Sequence, residues 1–304
     1  MNEQGANITE GQLAVKRAFS SSDLTILSIT FVVFFLITCG YLIISAMIDL
    51  FKETGGAPSF FEITLALIGT FIAGVLFFAI TLGLGMFVVR MQRQSVLGNS
   101  LQVEYSDFAW LRDWANTVSS DLEMPRVEIF VTQNPIINAY AFGFARPYCI
   151  VLHSGSIRYL TRDELKSVVV HEMAHIKYGH TNTLVYLTPF LGFPVLGTIF
   201  SWLAGFWQRR AELTADRLSL MYTKDSELVK RALIKVHVGP DVSDSMNEVA
   251  RQWLQHTAER PMNHLAQTFS SHPFLVRRLS HLDKWKTVIE PTVAPTPEQT
   301  LPSN

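Results

Sequence analysis

Two long segments without charged side chains constrain the fold of this chain more than any other feature. Residues 24–48 and residues 63–89 contain no Asp, Glu, Lys or Arg, and each is longer than the roughly 20 residues that a helix needs to cross a bilayer. The link between them, residues 49–62, holds two glycines and a proline, which are turn formers. The sequence therefore predicts a transmembrane hairpin over 24–90, preceded by a polar and irregular N-terminal segment, residues 1–23.

The composition agrees with a membrane-anchored chain. It is 48% hydrophobic and 17% charged, with a mean hydropathy of +0.22, which is too apolar for an ordinary soluble protein. A cleaved signal peptide is the alternative for the first segment, but its apolar run is too long and a second span follows. The net charge of −1 offers no basic surface for nucleic acid. Cys39 lies within an apolar segment, so we expect no disulfide with Cys149, which is compatible with a reducing compartment.

Basic residues near the ends of the spans predict the orientation. Lys16 and Arg17 precede the first span and Arg90 and Arg93 follow the second, whereas only Lys52 lies in the link. Because Lys and Arg collect on the cytoplasmic side, this distribution favours a cytoplasmic location for both termini.

The pentapeptide His171-Glu-Met-Ala-His175 indicates a zinc site. Two histidines four residues apart on a helix share one face, so they can bind one zinc ion, and Glu172 between them lies beside a metal-bound water. A capping box that begins at Thr161 predicts a helix over 162–179. The alternative is an amphipathic helix that carries two histidines by chance.

A third ligand is needed to complete the site. The metzincin pattern requires Gly at 178 and His at 181, where this chain has Tyr178 and Thr181, so that class is excluded. Glu212, on a later predicted helix, can be the third ligand instead, and Asp216 one turn further can orient a ligand histidine. An ordinary charged helix face would show the same spacing.

Residues 91–287 predict one α+β catalytic domain, which is mainly helical and carries a small antiparallel sheet. The alternation of apolar residues predicts strands at 127–131, 139–144 and 148–152. Residues 288–304 contain four prolines among polar residues and predict a disordered tail. The remaining helices are expected near 105–122, 209–222, 226–236 and 244–258.

A third uncharged apolar stretch, residues 184–208, lies between the two parts of the predicted zinc site. His171 and Glu212 must meet at one ion, so both ends of the stretch lie on the same side of the membrane. Two crossings would need about 40 residues. We therefore expect a membrane-dipping hairpin, and a segment buried within the protein is the alternative.

Several motifs together resemble a known family. The run HEMAHIKYGHT over 171–181, the run NAYAFG over 138–143 and the segment Ser271-His272-Pro273 with Leu275 and Arg278 accompany the hairpin and Glu212. In this combination the chain is similar to the membrane-bound gluzincin metallopeptidases typified by the HtpX heat-shock proteases. That family also includes the CAAX prenyl endopeptidases.

The resemblance implies roles for residues outside the zinc motif. The residues Asn138, Ala139, Tyr140 and Ala141 would belong to an edge strand that lies along the substrate, since an extended peptide can add to an exposed sheet edge. His272 would donate a hydrogen bond to the oxyanion, and Arg278 would support it. We expect His180 to be structural.

These features predict a zinc endopeptidase with one Zn²⁺ per chain and Glu172 as general base. Its substrates would be polypeptides, chiefly membrane or misfolded proteins, in protein quality control. We expect an integral protein of a bacterial inner membrane with the catalytic domain on the cytoplasmic face. Two alternatives stay open: a dedicated processing peptidase for CAAX-type or lipidated substrates, and a catalytically silent membrane scaffold.

Overall fold

Two long helices near the N-terminus match the two uncharged segments. In the computed structural model, α2 spans Ser21–Thr54 and α3 spans Phe60–Gly98, and both are long and apolar enough to cross a membrane. The most apolar window of each is not buried within the protein, unlike the core helix of a soluble domain. At 1.5 Å per residue they are roughly 50 and 60 Å long, so each exceeds a hydrocarbon core of about 30 Å. The structure describes residues 9–144, 146–183, 185, 196–243, 245–268 and 273–289.

A short helix precedes the first long one. α1 spans Glu10–Ala18 and begins with a capping box in which Thr9 and Gln12 exchange hydrogen bonds. The expectation of an irregular segment over residues 1–23 was wrong for this part. Ala14 and Ala18 are buried on the side of α1 that packs on the domain after α3, so long-range packing stabilises the helix.

The sheet has four strands in the order β1-β2-β4-β3. β1 is Leu101–Gln102, β2 is Val127–Thr132, β3 is Ala139–Phe142 and β4 is Tyr148–His153. The predicted strands are found, but the sheet is mixed rather than antiparallel, because β4 pairs in parallel with β2 and antiparallel with β3. After β2 the chain forms β3 at the edge of the sheet, and β4 then fills the position between β2 and β3.

The remaining helices pack around this sheet. α4 spans Ala109–Asp121, so the helix predicted over 105–122 begins later, after a 3₁₀ turn at Val103–Tyr105. The helix expected over 209–222 is the second half of a longer one, Leu196–Thr223. The last described helix, Leu275–Ile289, ends inside the expected tail. Residues 290–304 lie outside the described ranges. The helices after α4 whose bounds fall within the described ranges are α5 (Ser154–Tyr159), α6 (Arg162–Lys177), α7 (Leu196–Thr223), α8 (Ser226–Val238), α9 (Pro240–Ser243), α10 (Glu248–Ala258), α11 (Pro261–Thr268) and α12 (Leu275–Ile289).

The N-terminal segment and α7 are joined by polar contacts. Arg217 donates from Nε to the Ala18 carbonyl at 2.8 Å, and Arg210 donates from Nε to Asp23 Oδ1 at 2.8 Å. As the chain runs forward from Ala18 to Asp23, its partners on α7 run backward from Arg217 to Arg210. α7 therefore runs antiparallel to this segment, and α2 continues along it.

The third apolar stretch is described only in part. Residues 184 and 186–195 lie outside the described ranges, and with them the expected hairpin bend. The remainder, residues 196–208, is the uncharged first half of α7 and continues without a break into the half that carries Glu212. Ala204 and Trp207 on this half are buried.

Candidate metal centre

Helix α6 presents the two histidines of the pentapeptide toward one point. Its capping box is formed as predicted, since Thr161 accepts from the backbone N–H of Glu164 and the Glu164 side chain accepts from that of Thr161. His171 and His175 are one turn apart, and their Nε2 atoms lie 3.2 Å from each other. Glu172, which lies between them in sequence, is buried and lines the cavity in front of the two histidines.

Helix α7 brings a carboxylate to the same point. Glu212 Oε2 lies 3.4 Å from His171 Nε2, and Glu212 Oε1 lies 3.7 Å from His175 Nε2. Four ligands at 2.0–2.1 Å from a tetrahedral zinc ion lie about 3.3–3.4 Å apart, so these separations fit one ion with little movement. The three residues could therefore hold a metal ion.

The charges around this point also favour a cation. Glu172, Glu212 and Asp216 line the cavity, and Arg278 is the guanidinium beside them. Arg278 donates to both oxygens of Asp216, at 2.8 and 2.6 Å, and its Nη1 lies 3.2 Å from Glu212 Oε2. Three carboxylates against one guanidinium leave a local charge of about −2, which a divalent ion would balance.

Two further side chains fix the orientation of the histidines. His171 Nδ1 lies 3.1 Å from Asp216 Oδ1, as expected for a carboxylate that orients a ligand imidazole. His175 Nδ1 lies 3.0 Å from His180 Nδ1, so the two rings share one hydrogen bond. If His175 donates in this bond, its Nε2 keeps the lone pair that a metal ion requires.

The pKa shifts follow from burial and from these carboxylates. Burial lowers the pKa of His171, but hydrogen bonds to Asp216 and Glu212 outweigh it and raise that pKa to about 10. His175 has weaker contacts, so burial prevails and lowers its pKa to about 4. Asp216 and Glu212 thus favour a positive charge at His171, which either a proton or a metal ion can supply.

A cleft of about 340 Å³ lies in front of these residues. The edge strand β3 contributes one wall through Ala139 and Tyr140, together with Asn138 just before it. Helix α8 also lines the cleft, and the zinc-motif helix contributes the floor. The backbone of Asn138 is fixed by Ser156, whose hydroxyl accepts from the Asn138 N–H at 3.0 Å and donates to its carbonyl at 2.7 Å.

The structure brings most of the predicted site residues together. The three predicted ligands, Glu172, Asp216 and Arg278 line one cleft with residues 138–140. Ala141 lies on the same edge strand, paired with Ile150. His272 lies outside the described residues, so its predicted role stays a prediction.

Sequence reasoning missed two kinds of residue. His180 contacts a predicted ligand although it was expected to be structural, and its position five residues after His175 could have signalled that contact. The cleft-lining residues of α8 gave no such signal, because they read as an ordinary buried helix face.

Comparisons with known proteins show what this chain is similar to. The family model described as peptidase family M48 matches residues 106–203 and 191–286. The plastoglobule-localized metallopeptidase 48, chloroplastic, of Arabidopsis thaliana is 29% identical over 228 residues, which is 68% of this chain and 65% of that protein. A protease HtpX homolog of Bacteroides fragilis is 24% identical over 212 residues, which is 55% of this chain and 65% of that protein. The chain thus spans less than two thirds of the length of these relatives. The alignment with the crystal structure of S. mikatae Ste24p covers 84% of this chain and 66% of the Ste24p chain, with a TM-score of 0.49 and 18% identity.

Proposed function

This chain belongs to peptidase family M48, and we propose from this premise that it is a membrane-anchored, zinc-dependent endopeptidase. The observation that carries the proposal is the convergence of His171, His175 and Glu212 at one point, with Glu172 beside it. The three ligands would hold one zinc ion and leave a coordination position for water or substrate. A bound zinc ion would supply a Lewis acid that polarises the peptide carbonyl and makes water more acidic.

Glu172 is proposed as the general base. It is buried at the cleft floor, and it follows the ligand His171 directly on α6. Its carboxylate would take a proton from the attacking water and pass it to the leaving amine. Arg278 holds Asp216 and approaches Glu212, so it would keep both carboxylates ionised and in place. By resemblance, His272 would donate to the oxyanion.

The edge strand β3 is proposed as the site of substrate alignment. Among the described strands it pairs with β4 alone, so its other side would offer backbone groups to an extended peptide. Main-chain pairing demands little of the sequence, which suits a protease that cuts many unfolded chains. We therefore propose membrane or misfolded proteins as the substrates, as in protein quality control.

We further propose that α2 and α3 cross a membrane as a hairpin, with the catalytic domain on the cytoplasmic face of a bacterial inner membrane. α1 and Asp23 contact α7 directly, which requires the N-terminus and the catalytic domain to lie on the same side. Two crossings give that arrangement. Trp202 and Phe206 on the uncharged half of α7 are exposed although the opposite face is buried, which favours a lipid-facing surface that dips into the bilayer.

The function can be tested with the full-length protein in detergent and casein as substrate. Glu172→Gln keeps all three ligands, so we expect full zinc content and a loss of turnover of about 10²-fold or more. Glu104→Gln, the same change on an exposed residue remote from the site, is the matched control and should cleave at the normal rate. Zinc content comes from elemental analysis. Equal cleavage by both variants, or a purified protein without zinc or turnover, would contradict the proposal.

A further inference from the structure

Helix α8 presents an apolar face to the cleft. Val229, Ala232, Leu233 and Val236 line the same cavity as Glu172. They are spaced at i, i+3, i+4 and i+7, which places them on one side of the helix. Val229 and Leu233 are anchored below in a core cluster with α7 and α12, so this face is held rigidly. None of the proposed catalytic roles uses it.

The charged residues of α8 are engaged away from this face. Lys230 pairs with Asp283 and Glu227, and Lys235 pairs with Glu164. Arg231 also lies 3.9 Å from Glu164. The side of α8 that meets the cleft therefore carries no formal charge, although the helix as a whole is rich in charge.

The part of the cleft wall next to this face is also uncharged, and its polar groups are hydrogen-bonded within the protein. Val168 contributes an apolar surface, and Ser167 and Ser219 contribute the polar atoms. The two serine hydroxyls lie 3.0 Å apart, and Ser219 also donates to the Ser167 carbonyl at 2.9 Å. Their hydrogen bonds are made within the protein, so this part of the wall does not need a polar partner from a ligand.

His237 lies at the outer end of the same face. Its Nδ1 lies 2.9 Å from the Leu233 carbonyl, which only accepts, so Nδ1 carries the proton. Burial lowers the pKa of this ring, with a further contribution from Arg278, so His237 is neutral near pH 7. The end of the face is thus uncharged as well.

We propose that Val168, Val229, Ala232, Leu233 and Val236 form an apolar subsite that takes one large, uncharged substrate side chain next to the scissile bond. The assignment rests on the proposed function and names its sequence preference. A peptide paired with β3 sends alternate side chains to opposite faces, and the face directed into the cleft meets α8. Ala232 is the smallest member of the set, so a larger side chain at this position would reduce the space available in the cleft.

Cleavage of a peptide library by the wild-type protein in detergent, mapped by mass spectrometry, is the first test. We expect one of the two positions flanking the cut bond to be enriched in Leu, Phe and Met and depleted in Lys and Asp. On matched fluorogenic peptides, Leu should exceed Ala at that position by about 10- to 100-fold in kcat/KM. A flat profile at both flanking positions would overturn the proposal.

The second test fills the subsite. Ala232→Leu should remove most of the preference for Leu over Ala by lowering kcat/KM for the Leu peptide, while zinc content stays unchanged. Arg231→Leu adds the same side chain at the neighbouring, exposed position, and it should keep the preference. If Ala232→Leu fails to fold, Val236→Thr, which is nearly isosteric and adds a hydroxyl, should reduce the preference in the same direction. Equal effects at 231 and 232, or an unchanged preference in the Ala232 and Val236 variants, would contradict the subsite.

A binding measurement separates this proposal from the proposed function. Fluorescence titration of zinc-loaded Glu172→Gln with the uncut Leu and Ala peptides gives their Kd ratio without turnover. Preferential binding of the Leu peptide in a protein whose wild type cleaves nothing would sustain the subsite and overturn the peptidase. Turnover without any preference for the Leu peptide in cleavage or binding would sustain the peptidase and overturn the subsite.

Discussion

At the scale of single residues, hydrogen bonds behind the two histidines prepare them for a metal ion. Asp216 lies behind His171 and is itself held by Arg278, whereas His180 lies behind His175. Each contact fixes a ring nitrogen that faces away from the ligand point, and it thereby determines which nitrogen faces the ion. The two supports differ in charge, because Asp216 is anionic and burial lowers the pKa of His180 to about 3, which keeps that ring neutral.

This difference between ligands and supports can be measured as zinc affinity. Glu212→Ala removes a ligand and should leave the purified protein with little zinc. Asp216→Asn and His180→Ala keep all three ligands, so we expect zinc affinity to fall by roughly 10- to 100-fold in each. Competition with a chelator gives the affinities, and thermal unfolding of each variant controls for folding. Full zinc occupancy in Glu212→Ala would move the third ligand to another residue.

At the scale of elements, α1 packs on the domain that follows α3, although both long helices separate the two in sequence. α1 approaches the end of α4 closely at Gly11, because a Cβ atom at this position would lie 2.5 Å from the Asp121 carbonyl oxygen. Tyr178, at the end of the zinc-motif helix, donates to the Val15 carbonyl at 2.9 Å. α1 thus contacts both helices that carry the proposed ligands, since Arg217 of α7 donates to the Ala18 carbonyl.

A single methyl group tests whether α1 docks in this way. Alanine stabilises a helix interior by about 0.5–1 kcal/mol relative to glycine. Gly11→Ala should nevertheless lower the melting temperature, because the new methyl group meets backbone that cannot move aside cheaply. Gly40→Ala in α2 has open space around the new atom and is the control, for which we expect no loss. Calorimetry in detergent compares the two, and a stabilised Gly11→Ala would show that α1 does not pack against α4.

Patterns among neighbouring residues predicted most helices and strands. They did not predict contacts between residues far apart in the sequence. The zinc-motif helix and the three main strands follow from a capping box and from alternation, both of which involve neighbouring residues. Glu212 was also proposed from the sequence as the third ligand, because its chemistry would complete the histidine pair, and it lies beside both histidines. The parallel pairing of β2 with β4 was missed, because it depends on the position of β3 and not on any strand's own sequence. α1 was missed although Thr9 and Gln12 form a capping box, and its packing depends on a domain that begins about eighty residues later.

At the scale of the whole molecule, the contact between Asp23 and α7 ties the proposed membrane hairpin to the proposed catalytic site. α3 is tied in a similar way, because Arg93 near its C-terminal end donates to the Pro147 carbonyl at 2.8 Å and contacts Cys149. The proposed hairpin is therefore attached at both of its ends to the domain that follows it. A rigid attachment of this kind fixes the orientation of the domain relative to the spans.

Cysteine labelling tests the proposed topology. In a variant without Cys39 and Cys149, we expect Gly5→Cys and Thr300→Cys to react only from the cytoplasmic side. Gly56→Cys, in the link, should react only from outside, and its backbone tolerates a side chain better than the left-handed Gly55. Membrane-impermeant maleimide on intact cells and on inverted vesicles distinguishes the two sides. Reaction of Thr300→Cys from outside would place the catalytic domain in the exterior compartment, against the charge distribution.

The hydrogen bond between Arg210 and Asp23 has a consequence for how far a substrate must extend. Asp23 is the last charged residue before the first uncharged segment, and Glu212 lies only two residues beyond Arg210, or about 3 Å along the helix axis. With the proposed topology, the scissile bond is cut at the height of the lipid headgroups, a layer about 5–8 Å deep on each side of the bilayer. An extended chain gains about 3.3–3.6 Å per residue, so an anchored substrate spans this layer with roughly two or three residues. The enzyme would thus measure cleavage sites by their distance from the membrane, and short stubs beside a transmembrane anchor would be within its range.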